Sequence, residues 1–191
     1  MSGLFSSISC FFNKQVTFPQ LKAAVISGDV NFVKFYLSQP KCPLSNPMED
    51  TGYPDEDGYN STVVNSLLYE AIPHPEVLKI LLNDGRFDPN ENNKDAFYRC
   101  LYEGSIECLQ LFYNNKRFSF PQDTLVKAAE VGGKDLIKFL LKLDTLENYQ
   151  LFSEDTKVEA RNIAGLHSDT DIMDMIEKHY QHASYYYPSH P

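Results

Sequence analysis

The 191-residue chain has no tryptophan, no CxxC pair and no long apolar run. Without a run of about 18 apolar residues, a membrane-spanning helix is not expected. Without closely spaced cysteine pairs, zinc-finger and thioredoxin-like sites are excluded, and Cys100 and Cys108 are interpreted as small buried apolar residues. P-loop, GxSxG, HExxH and dinucleotide-binding motifs are missing too, so we do not expect an enzyme.

The chain also lacks an excess of basic charge. Lys and Arg number 17 against 26 Asp and Glu, which gives a formal net charge of −9. A nucleic-acid binder needs basic residues to neutralise phosphates, and an anionic membrane surface attracts basic segments. Nucleic acid and membrane insertion are therefore not expected. The first residues lack the basic segment and long apolar stretch of a secretory signal, so we expect a cytoplasmic protein.

What the sequence does contain is a repeated helix-pair pattern. Each copy has an apolar helix pattern, a turn and a second apolar helix pattern. Gly28, Gly104 and Gly132 occupy the same internal position, and the last two are 28 residues apart. The clearest copies are residues 21–37, 97–113 and 125–141. Self-similarity at such a period is typical of a solenoid, in which stacked helix pairs share one core.

The linkers repeat independently of the helices. Arg86-Phe87 and Arg117-Phe118 are 31 residues apart. We predict five helix pairs, the last of them a polar capping pair. They cover about 18–37, 63–83, 95–114, 124–143 and 158–179.

The pattern also defines the organisation of the chain. We predict an N-terminal segment 1–17, a repeat domain 18–180 and a mobile tail 181–191. A Pro-, Gly- and acid-rich loop over 41–61 interrupts the repeat domain after the first pair. Loops of this length are usually functional or disordered.

The helix-pair motif resembles that of ankyrin-repeat proteins. It reads LKAAVISG at Leu21–Gly28, and Val126–Gly132 followed by Leu136–Leu141 continues it. The linker Asp84–Asn90 looks like the variant in divergent arrays of amoebae, their giant viruses and their intracellular bacteria. The usual Thr-Pro-Leu-His start is absent, and two repeats are shorter than the standard unit of roughly 33 residues.

The resemblance implies an all-α ankyrin-repeat solenoid of about five helix-pair repeats with a long acidic inserted loop. It implies a module that binds another protein as an adaptor or inhibitor. A host-directed effector, located in the host cytoplasm, is one form of this role. The expected partner is a protein of unknown identity, and the chain itself is expected to be a monomer. We expect no cofactor.

The resemblance further implies partner contacts at two exposed positions after each Ala-Ala pair, which line a groove. The acidic loop is a second candidate contact, with aromatic anchors and steering charge; a solvated insertion is the alternative. The groove positions are Ile26, Ser27, Tyr102, Glu103, Glu130, Val131, Leu166 and His167, and those in the loop are Tyr53, Asp55, Glu56, Asp57 and Tyr59.

Two candidate metal sites are weak. Asp55, Asp57 and Gly58 lack the ligand spacing and closing Glu of a calcium loop. His179 and His182 share a helix face but have no evident third ligand, so they are interpreted as surface histidines near a helix end. No metal is expected.

Four other hypotheses remain open. Cys42 is a reactive thiol only if a base lies near it, and no His is close in sequence. The tail segment Tyr185–Pro188 is either a linear motif or a stretch that docks on the protein itself. The alternative functions are a small-molecule or enzymatic site in the groove, and a self-assembling structural protein.

Overall fold

A computed structural model of the chain describes residues 16–40, 42–44, 66–147 and 150–186, without the side chains of 182–186. Throughout these residues the regular structure is helical and no strand is present, so the predicted all-α class is confirmed for them. The loop candidates Tyr53, Asp55, Glu56, Asp57 and Tyr59 lie outside the described residues.

The described residues form ten helices. The chain divides into two compact units, Met1–Leu81 and Leu82–Pro191. The prediction of one repeat domain over 18–180 stays a prediction. The helices are α1 Phe18–Ser27, α2 Val30–Leu37, α3 Leu67–Glu70, α4 Pro75–Asn83, α5 Glu91–Tyr102, α6 Ile106–Tyr113, α7 Thr124–Val131, α8 Lys134–Leu146, α9 Glu154–Leu166 and α10 Thr170–Tyr186.

Packing in each unit follows the repeat. In the first unit α1 packs against α2 and α3. In the second unit each helix pair is a hairpin, α5 with α6, α7 with α8 and α9 with α10. The first helix of each pair also packs against the first helix of the next pair, α5 against α7 and α7 against α9. The repeat-like helical packing predicted from the sequence is confirmed.

Each hairpin turns at one residue with a left-handed backbone. Gly28, Gly104 and Gly132 have φ of 73°, 66° and 77°, which glycine adopts without the steric cost that a Cβ imposes. At Gly28 there is a second reason, since a Cβ there would lie 2.5 Å from Nδ1 of His74. The repeated glycines therefore mark a backbone requirement of the fold.

The last pair satisfies the same requirement without glycine. Ser168, with φ of 59°, stands where the other turns have glycine. The N–H that follows it, of Asp169, donates to Ala164 O at 2.9 Å, as Asp29 N does to Ala24 O at 2.8 Å. The degenerate last pair thus has the turn geometry of the first.

A small side chain lies four residues before every one of these turns. All four are buried, and each is on the first helix of its pair. Small residues let neighbouring backbones approach closely, so this position sets the spacing between helices. The residues are Ala24, Cys100, Ala128 and Ala164.

Arg117 joins the two Arg-Phe linkers. Its guanidinium donates to Leu82 O and Phe87 O, both at 2.7 Å, and to Asp84 O at 3.1 Å. Asn115 Nδ2 also donates to Leu82 O at 2.8 Å. Buried carbonyls need a donor, and Arg117 supplies it from the following linker.

The two linkers have the same local fold. Arg86 N donates to Asp84 Oδ1 at 3.0 Å, and Arg117 N donates to Asn115 Oδ1 at 2.9 Å. Each is a turn in which an Asp or Asn side chain accepts from the backbone two residues on. The Arg-Phe repeat therefore includes the residue two positions before the arginine.

Phenylalanine fills the core beneath these linkers. The ring of Phe97 lies 5.8 Å from that of Phe112, 4.9 Å from Phe118 and 5.3 Å from Phe120, and Phe120 contacts Phe152 at 6.2 Å. Tilted and edge-on ring pairs stabilise a core beyond the area that they bury. This cluster runs from the third helix pair to the start of the last.

Several helix bounds differ from those predicted. Helix α9 begins at Glu154 rather than near 158, where Ser153 Oγ accepts from Thr156 N at 3.2 Å and so caps the helix. Helix α10 continues to Tyr186, so the predicted tail from 181 begins as helix. Among the described helices, none is both long and apolar enough to cross a membrane.

Gly132 and Gly85 provide a matched test of the turn. A Cβ at either position would meet nothing within 4 Å, but only Gly132 has a positive φ. We expect Gly132→Ala to lower the free energy of unfolding by about 1 kcal/mol, because alanine is strained in the left-handed region. Gly85→Ala should leave it within about 0.5 kcal/mol. Urea unfolding measures both, and equal losses would contradict the assignment.

Candidate functional site

All eight groove positions predicted from the sequence are exposed. The four large apolar residues among them are solvent-exposed to unusual degrees for their type: Ile26 51%, Tyr102 53%, Val131 39% and Leu166 79%. Ile26 and Ser27 end α1 in the first unit, and the other six lie at or just after the ends of α5, α7 and α9 in the second. We call these six residues, Tyr102, Glu103, Glu130, Val131, Leu166 and His167, the helix-end surface.

Helices α5 and α7 run parallel, side by side. Tyr98 Oη donates to Asp123 Oδ1 at 2.8 Å across an offset of 25 residues. The pKa of Lys127 is raised first by its hydrogen bond with Glu130 and further by the nearby Tyr102. Tyr102 and Lys127 are also 25 residues apart in the sequence. Two successive contacts with the same sequence separation are expected when two helices run parallel and keep one register. Tyr102 therefore lies beside α7, one turn from its end.

Acidic groups flank the apolar side chains of the helix-end surface. Glu103 pairs with Arg99 at 2.7 Å and Glu130 with Lys127 at 3.4 Å, both on their own helix. Exposed pairs of this kind contribute little to stability and exchange partners readily. The surface thus presents exposed aromatic and aliphatic groups, with charges held loosely around them. Helix α9, which ends at Leu166, packs against α7.

A second cluster, which the sequence did not indicate, surrounds Asp144. This carboxylate of α8 is fully buried. Its Oδ1 accepts from Leu151 N at 2.9 Å and Phe152 N at 3.3 Å. Its Oδ2 accepts from Tyr180 Oη at 3.1 Å and lies 3.3 Å from Nε2 of His179. A buried carboxylate is stable only with such partners.

Tyr180 and Lys157 extend this cluster. Burial, followed by the charge and hydrogen bond of Asp144, raises the pKa of Tyr180 well above its usual value. Lys157 Nζ lies 4.1 Å above the Tyr180 ring and 2.6 Å from Glu154. A cation over an aromatic face is favourable. The cluster thus connects α8, α9 and α10.

The interpretation of His179 as a surface histidine was wrong. Its side chain is 13% exposed and faces Asp144, while the side chain of His182 lies outside the described residues. Only the tertiary structure brings the two partners together, since they are 35 residues apart. An Asp on the apolar stripe of α8 was the one available signal, because a charge at such a position needs a partner.

The cysteines in the described residues are buried or half-buried. Cys100 and Cys108 are buried, as predicted, and their hydrogen bond raises the pKa of Cys100 and lowers that of Cys108 to about 7. Cys42 is half-buried. In the part of the chain that the structure describes, no group of three or more His, Cys, Asp or Glu side chains is placed to hold a metal ion.

Removal of the Asp144 carboxylate should be costly. In Asp144→Ala the N–H groups of Leu151 and Phe152 lose their acceptor inside the protein, so we expect unfolding to become easier by about 2–4 kcal/mol. The matched control is Asp174→Ala on α10, an exposed carboxylate that pairs with Lys178; its effect should stay within about 0.5 kcal/mol. Chemical denaturation measures the free energy of unfolding of both variants. A small effect of Asp144→Ala would show that the cluster is solvated.

Tyr180 should make the stability depend on alkaline pH. Because its pKa is raised in the folded state, its contribution is complete below the unfolded pKa of about 10 and is lost as the pH rises through the folded value. Between pH 10 and 11 the unfolding free energy should fall more steeply than in Tyr180→Phe. The two slopes should differ by up to about 1.4 kcal/mol per pH unit, the value for one proton. Parallel slopes would contradict the assignment.

Comparison of the chain with protein-family models, with curated proteins and with solved structures found no match. What the protein does is therefore argued from its own residues. The helix-end surface and the Asp144 cluster are the features of the described residues that bear on its function.

Proposed function

We propose that this protein is a binding module of the ankyrin-repeat type, which recognises a partner protein through its helix-end surface. The module is a solenoid in which helix pairs stack and their first helices present one face. It acts by occupying a partner as an adaptor or inhibitor, including a host-directed effector, and carries out no chemistry of its own.

One observation supports this proposal above all. Tyr102 and Leu166 stand two residues before the left-handed turn residue of their repeats and Val131 one residue before its own, and all three large apolar side chains are exposed. Apolar side chains that recur at the ends of neighbouring helices favour an interaction site, whereas singly scattered ones need no explanation. Tyr is also among the residues that dominate binding energy in interfaces. A folding requirement does not explain them, because the core is formed by the opposite faces of these helices.

Rigidity of the surface supports the same conclusion. Helices α5 and α7 are held in register by the Tyr98–Asp123 hydrogen bond. The turns after α5, α7 and α9 all have a left-handed residue. A surface fixed before binding loses little conformational entropy on binding, which favours affinity at a modest interface area.

The functional alternative is a small-molecule or enzymatic site in the groove. It requires titratable groups that converge on an open cavity, and the Asp144 cluster is the nearest approach to that arrangement. That carboxylate is fully buried, and its four neighbours already occupy it. We therefore propose a structural role for the cluster. A thermal-shift screen with metal ions and nucleotides tests the alternative directly.

The test of the proposal compares three forms of the full chain as bait in cytosolic lysate. Tyr102→Ala with Leu166→Ala removes two apolar groups of the helix-end surface. The matched control, Phe35→Ala with Val158→Ala, removes two comparably exposed apolar groups that belong neither to the helix-end surface nor to any other candidate contact. A partner captured by the wild type and the control but reduced at least tenfold in the first variant, a loss of about 1.4 kcal/mol, is the expected result.

The captured partner is then purified and its affinity measured for all three forms. Loss of binding in the control alone would place the contact away from the helix-end surface. Equal binding by all three forms would also contradict the proposal. Unfolding midpoints of the variants, measured in parallel, separate lost binding from lost folding.

A further inference from the structure

A groove between α8 and α10 has features that the proposed function does not use. It is an open groove with a volume of about 510 Å³. Leu141, Leu146 and Met175 form its apolar floor, and Leu146 is 64% exposed. Around them lie Lys138, Lys142 and Lys178, and none of the described residues that line the groove carries a carboxylate.

The charge of the groove is opposite to that of the protein. The chain as a whole carries −9, yet the charged side chains that line this groove are lysines. Lys138 pairs with Asp135 at 3.2 Å and Lys178 with Asp174 at 3.3 Å, each on its own helix and exposed. Lys142 forms no ion pair with another described residue. Such exposed pairs are weak, so a ligand carboxylate competes for these lysines easily.

Two of the lysines lie one helical turn apart on α8, and the third lies opposite them on α10. Lys138 and Lys142 are four residues apart on α8, so they lie on one face. Helices α8 and α10 run parallel with an offset of about 36 residues, as the contacts Lys134–Asp171 and Asp144–Tyr180 show. That offset places Lys178 level with Lys142.

The walls of the groove are fixed before any ligand arrives. The buried Asp144 of α8 contacts both His179 and Tyr180 of α10, directly beneath the groove. Lys134 and Asp171 join the same two helices at their first turns. A groove held open in this way accepts a ligand without rearrangement.

We propose that this groove binds an acidic amphipathic helix of a partner protein. Apolar side chains of that helix pack on Leu141, Leu146 and Met175. Carboxylates spaced four residues apart face Lys138 and Lys142, and a carboxylate on the other flank faces Lys178. An apolar floor between helices with charge along the edges is the arrangement of helix-in-groove recognition. This site lies on other helices than the helix-end surface and adds a second contact of different chemistry.

The probe is a synthetic peptide of about 16 residues with Leu at the spacing of one helix face and Glu on both flanks. A second peptide has Lys in place of every Glu. Binding of each, labelled with a fluorophore, to the full chain is measured by anisotropy. We expect the acidic peptide to bind and the lysine peptide to bind at least tenfold more weakly. Added salt should weaken the binding of the acidic peptide, because it screens the attraction between the opposite charges.

Three variants locate the site. Lys138→Glu with Lys142→Glu reverses one wall, and Leu146→Ser removes an apolar contact. The control, Lys79→Glu with Lys116→Glu, changes the net charge equally at exposed lysines elsewhere. Both groove variants should raise the Kd of the acidic peptide at least tenfold, and the control should change that Kd less than twofold. If the reversed variant does not fold, Lys138→Gln with Lys142→Gln replaces it.

Four results would overturn the proposal. They are no binding of the acidic peptide, equal binding of both peptides, equal loss in the groove and control variants, and groove variants that bind like the wild type. Two further measurements address other occupants. Vesicles of phosphatidylserine and phosphatidylcholine that bind through these lysines when the peptide does not would assign the groove to a membrane. A dimer in sedimentation that Leu146→Ser dissociates would assign it to a second copy.

Discussion

A left-handed residue after the first helix of four helix pairs is the constraint on which most of the structure depends. It reverses the chain within a few residues, so the second helix returns along the first and the two bury a common face. It also fixes where the first helix ends, and hence which side chains stand exposed at that end. Gly28, Gly104, Gly132 and Ser168 all have this conformation. The hairpins, their stacking and the helix-end surface all follow from it.

The sequence predicted those parts of the fold that local rules decide. Gly104 and Gly132 marked two turns because glycine is the residue that such a turn favours. The last pair was divided between Val158–His167 and Asp169–His179, but the left-handed backbone at Ser168 could not be recognised, since serine carries no such signal. The same applies to α10, whose helix extends past the point where the apolar period ends at Tyr180. Local chemistry indicated the elements, and tertiary context decided their ends.

The candidate sites divide along the same line. Exposure of Tyr102, Val131 and Leu166 followed from their place in the repeat, so the sequence could predict it. The Asp144 cluster and the α8–α10 groove could not be predicted, because each joins residues about 36 positions apart. Such a contact depends on the number of residues that separate facing positions on neighbouring helices. The offset is 25 residues between α5 and α7 and differs between α8 and α10, so no single period reveals both.

The shared linker geometry has a consequence for how such a chain can change in length. Asp84 and Asn115 begin turns of the same conformation, 31 residues apart, and the side chain of Arg117 reaches back to the carbonyls of the preceding turn. A crossover between the two positions would join two turns of the same geometry. The segment gained or lost would contain the complete helix pair α5–α6 together with one linker arginine. The segment is thus a cassette that recombination could duplicate or delete without creating a new junction.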